Sequence, residues 1–143
     1  MTVVNRSATA VWEGSGKEGK GTLATQSGVL DSTPYSFQKR FGEEKGTNPE
    51  ELIAAAHAGC FTMALAFALQ GEGLTAGRLE TTAKVTLESE GAGFKISRSA
   101  LTLKAAVPGV EKAKFEQIAL GAKTGCPVSK LMTAEVTLDL TLE

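Results

Sequence analysis

Cys60 and Cys126 are the only sulfhydryl groups in this chain of 143 residues. Two thiols that meet in space form a two-electron switch between dithiol and disulfide. Their settings differ. Cys60 lies in the apolar stretch Asn48-Pro-Glu-Glu-Leu-Ile-Ala-Ala-Ala-His-Ala-Gly-Cys-Phe-Thr-Met. A cysteine there reads first as a small buried hydrophobe, and apolar surroundings raise its pKa. To react it needs a cation, and no Lys or Arg occurs between Lys45 and Arg78. That cation must come from another segment or another chain. Cys126 opens Gly125-Cys-Pro-Val-Ser-Lys, with Pro127 suited to the first helical position. Exposed amides at a helix start stabilise a thiolate. The residues alone therefore rank Cys126 as the better thiolate; the plain alternative is a substitute for a polar N-cap.

Three further groups could join such chemistry. Arg40 lies in Tyr35-Ser-Phe-Gln-Lys-Arg-Phe. Read as a strand, this segment puts Phe37 and Phe41 on one face and Gln38 and Arg40 on the other. A solvated arginine is the ordinary reading; a guanidinium can also hold a thiolate or a peroxide oxygen. Glu50 and Glu51 are accounted for by helix capping. Glu50 precedes Cys60 by ten residues, about 15 Å along a helix. It could approach a Cys60 only across a two-fold axis, from an antiparallel helix of another chain. His57 is the sole histidine and stands one turn before Cys60 on the same face. A Cys–His pair suggests a hydrolase nucleophile and base; a core imidazole bonded to a neighbour is the plainer reading. One histidine, and two cysteines 66 positions apart, exclude a multi-histidine metal site and a zinc framework. No metal or other cofactor is expected. Gly14, Gly16, Gly19 and Gly21 read as a loop, not a phosphate cradle.

The elements that must position these groups follow from patterning. Strands are expected at Ser7–Glu13, Thr22–Thr25 and Tyr35–Phe41, with a turn-rich break from Gly14 to Gly21. A helix runs from Asn48 to about Gln70, capped by Asn48 with Pro49 behind it. Between Leu52 and Leu69 its polar groups are His57, Thr62 and the thiol. Such a helix must be buried on nearly every face. Strands at Thr81–Glu88 and Phe94–Ala106 form a hairpin through Gly91-Ala-Gly. A second helix spans Val110–Lys123, with a stripe of Ala113, Phe115, Ile118, Ala119 and Ala122. A short third helix starts at Cys126 and ends near Met132, and a final strand covers Thr133–Leu142. The order predicts an α+β fold, sheet wrapped round helices, as one domain over residues 1–143. The long helix is too apolar for one small domain to cover easily, which points to a symmetric dimer packing two such helices together; a monomer with a fully enclosed helix is the alternative.

A net charge of −1 suggests no nucleic-acid or anionic-membrane partner. The N-terminus lacks a signal-peptide h-region, and no apolar run reaches membrane-spanning length. A cytoplasmic setting is expected, where a cysteine pair is catalytic or redox-active sooner than a structural staple.

Several segments, taken together, resemble the osmotically inducible protein C (OsmC) family, related to the organic hydroperoxide resistance proteins. They are Ala10-Val-Trp-Glu-Gly, Ser27-Gly-Val-Leu, Tyr35-Ser-Phe-Gln-Lys-Arg-Phe, Gly46-Thr-Asn-Pro-Glu-Glu-Leu-Ile-Ala-Ala-Ala-His-Ala-Gly-Cys-Phe, Val107-Pro-Gly and Gly125-Cys-Pro-Val-Ser. They run in the family's order along nearly the whole chain, and His57 with the Tyr35–Phe41 segment places it nearer the OsmC branch. The resemblance implies an intertwined homodimer, with a long buried central helix from each chain wrapped by antiparallel sheet. It implies a thiol peroxidase acting on organic hydroperoxides at the dimer interface. By motif, Cys60 matches the peroxidatic cysteine and Cys126 the resolving one. Arg40 matches the arginine that stabilises the thiolate, and Glu50 its ion partner. Cys60 would become a sulfenic acid, Cys126 would condense with it, and an external dithiol, such as a lipoylated protein, would restore both thiols. Two other readings stand beside this one: a redox-responsive or ligand-binding protein whose Cys60 oxidises without turnover, and a Cys–His hydrolase using His57.

Overall fold

Strands β1 (Ala8–Glu13), β2 (Lys20–Thr25) and β3 (Thr33–Tyr35) form an antiparallel sheet in that order. In it, Trp12 and Tyr35 meet edge-on with ring centroids 5.4 Å apart. Gly21 lies beneath them. A Cβ there would come within 2.6 Å of both rings, so glycine alone lets the two aromatics close over the strand. The computed structural model describes residues 2–143, which divide into two units, one ending at Leu52 and one spanning Ile53–Glu143.

Still in the first unit, Phe37–Phe41 is a five-residue helix, α1, where the sequence pattern predicts a strand. Ser36 decides it. Its hydroxyl accepts from the Lys39 N–H at 3.3 Å, an N-cap bond that turns the backbone away from β3. Phe37 and Phe41 are four apart, and four satisfies both the strand period and the helical one. Their rings meet at 5.0 Å along the helix. The long helix α2, Pro49–Gly71, starts here too and continues through the second unit. Asn48 caps it, its side-chain oxygen accepting from the Glu51 N–H at 2.8 Å, with Pro49 at the first helical position.

The second unit adds β4 (Arg78–Glu90), β5 (Gly93–Ala106), α3 (Lys112–Gly125), α4 (Pro127–Leu131) and β6 (Glu135–Leu142). β4 and β5 pair antiparallel as a long hairpin, and β6 lies parallel to β5 on its other edge. One ladder of the fold is thus parallel. The chain returns from β5 to β6 through α3 and α4, and such a crossover delivers a strand in the same direction. β5 carries a bulge: Thr86 faces Arg98 and Leu87 faces Ile96, which leaves Ser97 unpaired. The extra residue resets the side-chain phase. Beyond it, Ser99, Leu101, Leu103 and Ala105 all point into the core.

α2 packs into that core along one stripe, His57, Phe61, Leu65 and Leu69, spaced four apart and fully buried. Phe115 and Ala119 of α3 close the same cluster. The rest of α2 is apolar as well, but Met63 and Phe67 stay 64% and 66% exposed. At 23 residues, with mean hydropathy 1.9 over its most apolar window, α2 has the length and composition of a membrane-crossing helix. That corrects the sequence expectation that no run reaches such length. The polar interruptions vanish within the fold: the Thr62 hydroxyl donates to the Ala58 carbonyl at 2.6 Å and shares a second bond with the Thr81 hydroxyl at 2.7 Å. Its buried stripe on β5 and α3 is the packing of a core helix.

Candidate active site

The residues singled out by sequence fall into two pairs. In the first unit, Arg40 at the end of α1 reaches Glu50 in the first turn of α2. The guanidinium Nε and Nη2 donate to Oε1 at 2.9 and 2.6 Å. Asn48 Nδ2 donates to the Lys39 carbonyl at 3.2 Å, which ties the end of α1 to the start of α2 and holds the pair in register. The Glu50 side chain is 11% exposed and the Arg40 side chain 38%. Glu50 occupies only the Nε/Nη2 edge of the fork, and Nη1 has no hydrogen-bond partner among the described residues. The guanidinium also lies 5.2 Å from the centroid of the Phe41 ring, a cation–π contact that limits its swing.

In the second unit, Cys60 and Cys126 are near enough for each to shift the acidity of the other. Neither is in a disulfide. Cys60, on α2, is partly exposed, whereas Cys126 is wholly buried at the junction of α3 and α4. The junction fixes Cys126 from both sides. Its N–H donates to the Ala122 carbonyl at 2.9 Å, and its carbonyl accepts from the Lys130 N–H at 3.0 Å.

Their acidities diverge. Burial pushes the Cys60 thiol up, and its bond to Cys126 pushes the same way; the Val128 N–H offsets part of this. Burial would raise Cys126 too, but donors outweigh it. They are the Cys60 thiol, the N–H and hydroxyl of Ser129, and the Val128 N–H, and they bring Cys126 below the ordinary thiol range. Of the two thiols Cys126 is thus the more acidic, the order that residue types alone suggest.

His57 is fully buried with both ring nitrogens engaged: Nδ1 with the Ser99 hydroxyl at 2.6 Å and Nε2 with the Ser129 hydroxyl at 2.8 Å. Burial lowers its pKa, so the ring is held neutral. The core-imidazole reading of His57 is the one the geometry supports. A Cys–His nucleophile pair is not formed, since neither nitrogen bonds a thiol. Ser99 and Ser129 are the residues that sequence reasoning missed. Ser129 had a signal, its place three residues after Cys126. Ser99 had a weaker one, a hydroxyl in phase with Leu101 and Leu103.

An apolar cavity of about 320 Å³ opens beside this cluster, lined by Ile53, Ala56, Ile96, Val128, Leu131 and Met132 among others. Val128 lines the cavity and stands two residues after Cys126 in the first turn of α4. The arrangement offers a solvent-reachable thiol, a second, buried thiol that influences it, and apolar space close by.

Residues 42–141 match the sequence profile of a protein family described as OsmC-like protein. The chain is 51% identical over 140 residues to the peroxiredoxin OsmC of Escherichia coli (strain K12), covering 98% of each. It is 33% identical to an organic hydroperoxide resistance protein of Xanthomonas axonopodis pv. citri (strain 306), over 89% of this chain and 87% of that one. Among solved structures, an organic hydroperoxide resistance protein from Elizabethkingia anophelis superposes with a TM-score of 0.72 at 28% identity, covering 99% of this chain and 97% of that one.

Proposed function

The chain belongs to the OsmC-like protein family, and on that premise we propose that it is a cysteine-based peroxidase that reduces organic hydroperoxides to alcohols. The observation that carries this is the pair of free thiols, one partly exposed and one buried, each of which shifts the acidity of the other. Only Cys60 can meet a substrate from solvent. Its thiolate attacks the terminal peroxide oxygen; an S–O bond forms, the O–O bond breaks, and the alkoxide leaves to be protonated as the alcohol. The Cys126 thiolate then attacks the Cys60 sulfenic sulfur. The S–S bond forms, and the departing hydroxide becomes water. An external dithiol, such as a lipoylated protein, reduces the disulfide by exchange.

The weak acidity of Cys60 within the pair defines what the enzyme must add. The first step needs charge on Cys60, and we assign that task to Arg40, with Glu50 orienting its fork, on the strength of the motif match. The cavity beside Val128 favours an alkyl or lipid hydroperoxide over hydrogen peroxide, because an apolar tail gains by leaving water there. We further propose a homodimer, in which the exposed Met63 and Phe67 face of α2 is covered by a second copy. A reducing, cytoplasmic setting suits an enzyme whose resting form carries two free thiols.

Stopped-flow reduction of cumene hydroperoxide tests the assignment. Cys60→Ser should consume no peroxide rapidly. Cys126→Ser should consume one equivalent and leave a sulfenic acid that a dimedone-type reagent traps on Cys60. Sustained turnover by Cys60→Ser would remove Cys60 from the reaction. A single oxidation of the unaltered protein, with no turnover when dithiol is supplied, would make it a redox-responsive protein.

A further inference from the structure

His57 ties together the two segments that carry the sulfurs. On α2, Cys60 stands three residues after His57, one turn on along the same face. In α4, Ser129 stands three residues after Cys126, the residue that caps this helix. His57 Nε2 and Ser129 Oγ are 2.8 Å apart. Each cysteine is thus one turn, about 4.5 Å along a helix, from its own end of a single bond. The other ring nitrogen, Nδ1, meets Ser99 Oγ at 2.6 Å. Ser99 is fully enclosed on β5, the central strand of its sheet, paired with Val85 on one side and Val136 on the other. The imidazole is fully enclosed too, and the chemistry proposed above does not use it.

α4 depends on this bond for its place. It has five residues, and a helix of that length does not hold its shape in isolation. None of its side chains is fully buried, and Leu131 is 79% exposed. Val128 packs part-buried against the core. Among the described residues, Ser129 Oγ makes the only side-chain hydrogen bond from α4 to α2 or to the sheet. Breaking it leaves an enclosed ring nitrogen without a partner, which is unfavourable.

We infer that His57 is a positioning residue for the thiol pair: braced on β5 by Ser99, it holds Ser129 and so fixes where the Cys126 turn stands against the Cys60 helix. With the bond in place, closing a disulfide orders little that is not already ordered. Without it, α4 is looser in the dithiol form, and the bridge must then order it. The inference rests on the peroxidase reading for its purpose, since a Cys60 sulfenic acid that closes quickly onto Cys126 is spared further oxidation to sulfinic acid. His57 neither gains nor loses a proton in this role.

The experiment needs no peroxide. The protein is equilibrated with mixtures of oxidised and reduced dithiothreitol, and the Cys60–Cys126 disulfide is quantified by alkylation and mass spectrometry, with circular dichroism as the check on folding. The exchange balances: the protein's S–S bond forms, that of the oxidised reagent breaks, and the reagent's two sulfurs take the two thiol protons. Ser129→Ala should lower the equilibrium constant for the bridge by about three- to tenfold, the ratio that one net hydrogen bond is worth. Ser129→Thr keeps the hydroxyl and should restore it. His57→Gln places an amide group where Nε2 lies and should stay within about twofold of the parent. His57→Asn reaches only the Nδ1 position and should behave like Ser129→Ala. A histidine serving only to fill space would make the Gln and Asn variants alike, and that result overturns the inference. So does a folded Ser129→Ala protein whose equilibrium is unchanged or shifted toward the bridge, whether or not any histidine variant folds. An unaltered protein that forms no bridge at any ratio overturns it as well. Peroxide turnover is measured separately, so failure of the peroxidase reading and failure of this inference are seen apart.

Discussion

Cys126 is wholly enclosed at the α3–α4 junction while Cys60 on α2 stays partly exposed, and the two thiols shift in opposite directions, the buried one down and the exposed one up. The thiol that solvent reaches is thus the poorer nucleophile of the two until a cation acts on it. A resting thiol that is held protonated is also protected from indiscriminate oxidation, because only the thiolate reacts.

Arg40 is the test of that account. Arg40→Ala should slow the first, peroxide-consuming step in a Cys126→Ser background by about tenfold or more, the thiolate fraction lost when a nearby opposite charge is removed. Arg40→Lys keeps the charge but loses the bidentate grip on Glu50 and should recover part of the rate. A stopped-flow rate unchanged by Arg40→Ala would leave Cys60 without its proposed activator.

Leu65 and Phe67 are two residues apart on α2, yet opposite outcomes are expected from changing them. Leu65 is fully buried, and Leu65→Ala should cost about 2–5 kcal/mol in urea unfolding. Phe67 is 66% exposed in the single chain. Phe67→Glu should leave the fold formed, seen as an unchanged far-ultraviolet spectrum, and should lower the mass measured by sedimentation equilibrium to that of one chain. An undiminished mass would place the dimer contact elsewhere.

His57 makes stability depend on pH in a defined sense. Its pKa in the fold is below the ordinary 6.5, because burial disfavours the imidazolium. Above about pH 6.5 both folded and unfolded chains carry a neutral ring, and His57 contributes no pH dependence. As pH falls through that value, the unfolded chain takes up a proton that the folded chain refuses, so stability declines, by at most about 1.4 kcal/mol per pH unit. Thermal melts between about pH 7 and 5 should fall more steeply for the unaltered protein than for His57→Gln. Parallel curves would mean that the ring titrates alike in both states, and a shallower fall for the unaltered protein that it is charged in the fold.

Sequence patterning reached some of these features and was blind to others for physical reasons. α2 was legible because Asn48 and Pro49 mark its start and the apolar run after them is unbroken by charge. α1 was misread as strand because Phe37 and Phe41 fit either period, and only the Ser36 cap separates the two. β6 was plain from the alternation of Val136, Leu138, Leu140 and Leu142, but alternation carries no direction, and the parallel pairing comes from the crossover through α3 and α4. The residues alone gave no means of pairing Cys60 with Cys126; the motifs did. The contacts of His57 join residues 42 and 72 positions away, and no local period encodes such distances.

The unequal enclosure of the two sulfurs has a consequence for the return half of the cycle. Once bridged, Cys126 has no surface to offer, so an incoming reductant must strike at the Cys60 side and expel Cys126. A thiol of low pKa is the faster leaving group in such exchange. The donors from Ser129 and Val128 that ready Cys126 to close the bridge therefore also ease its departure, and a mixed adduct with a small thiol, mapped by mass spectrometry, should be found on Cys60.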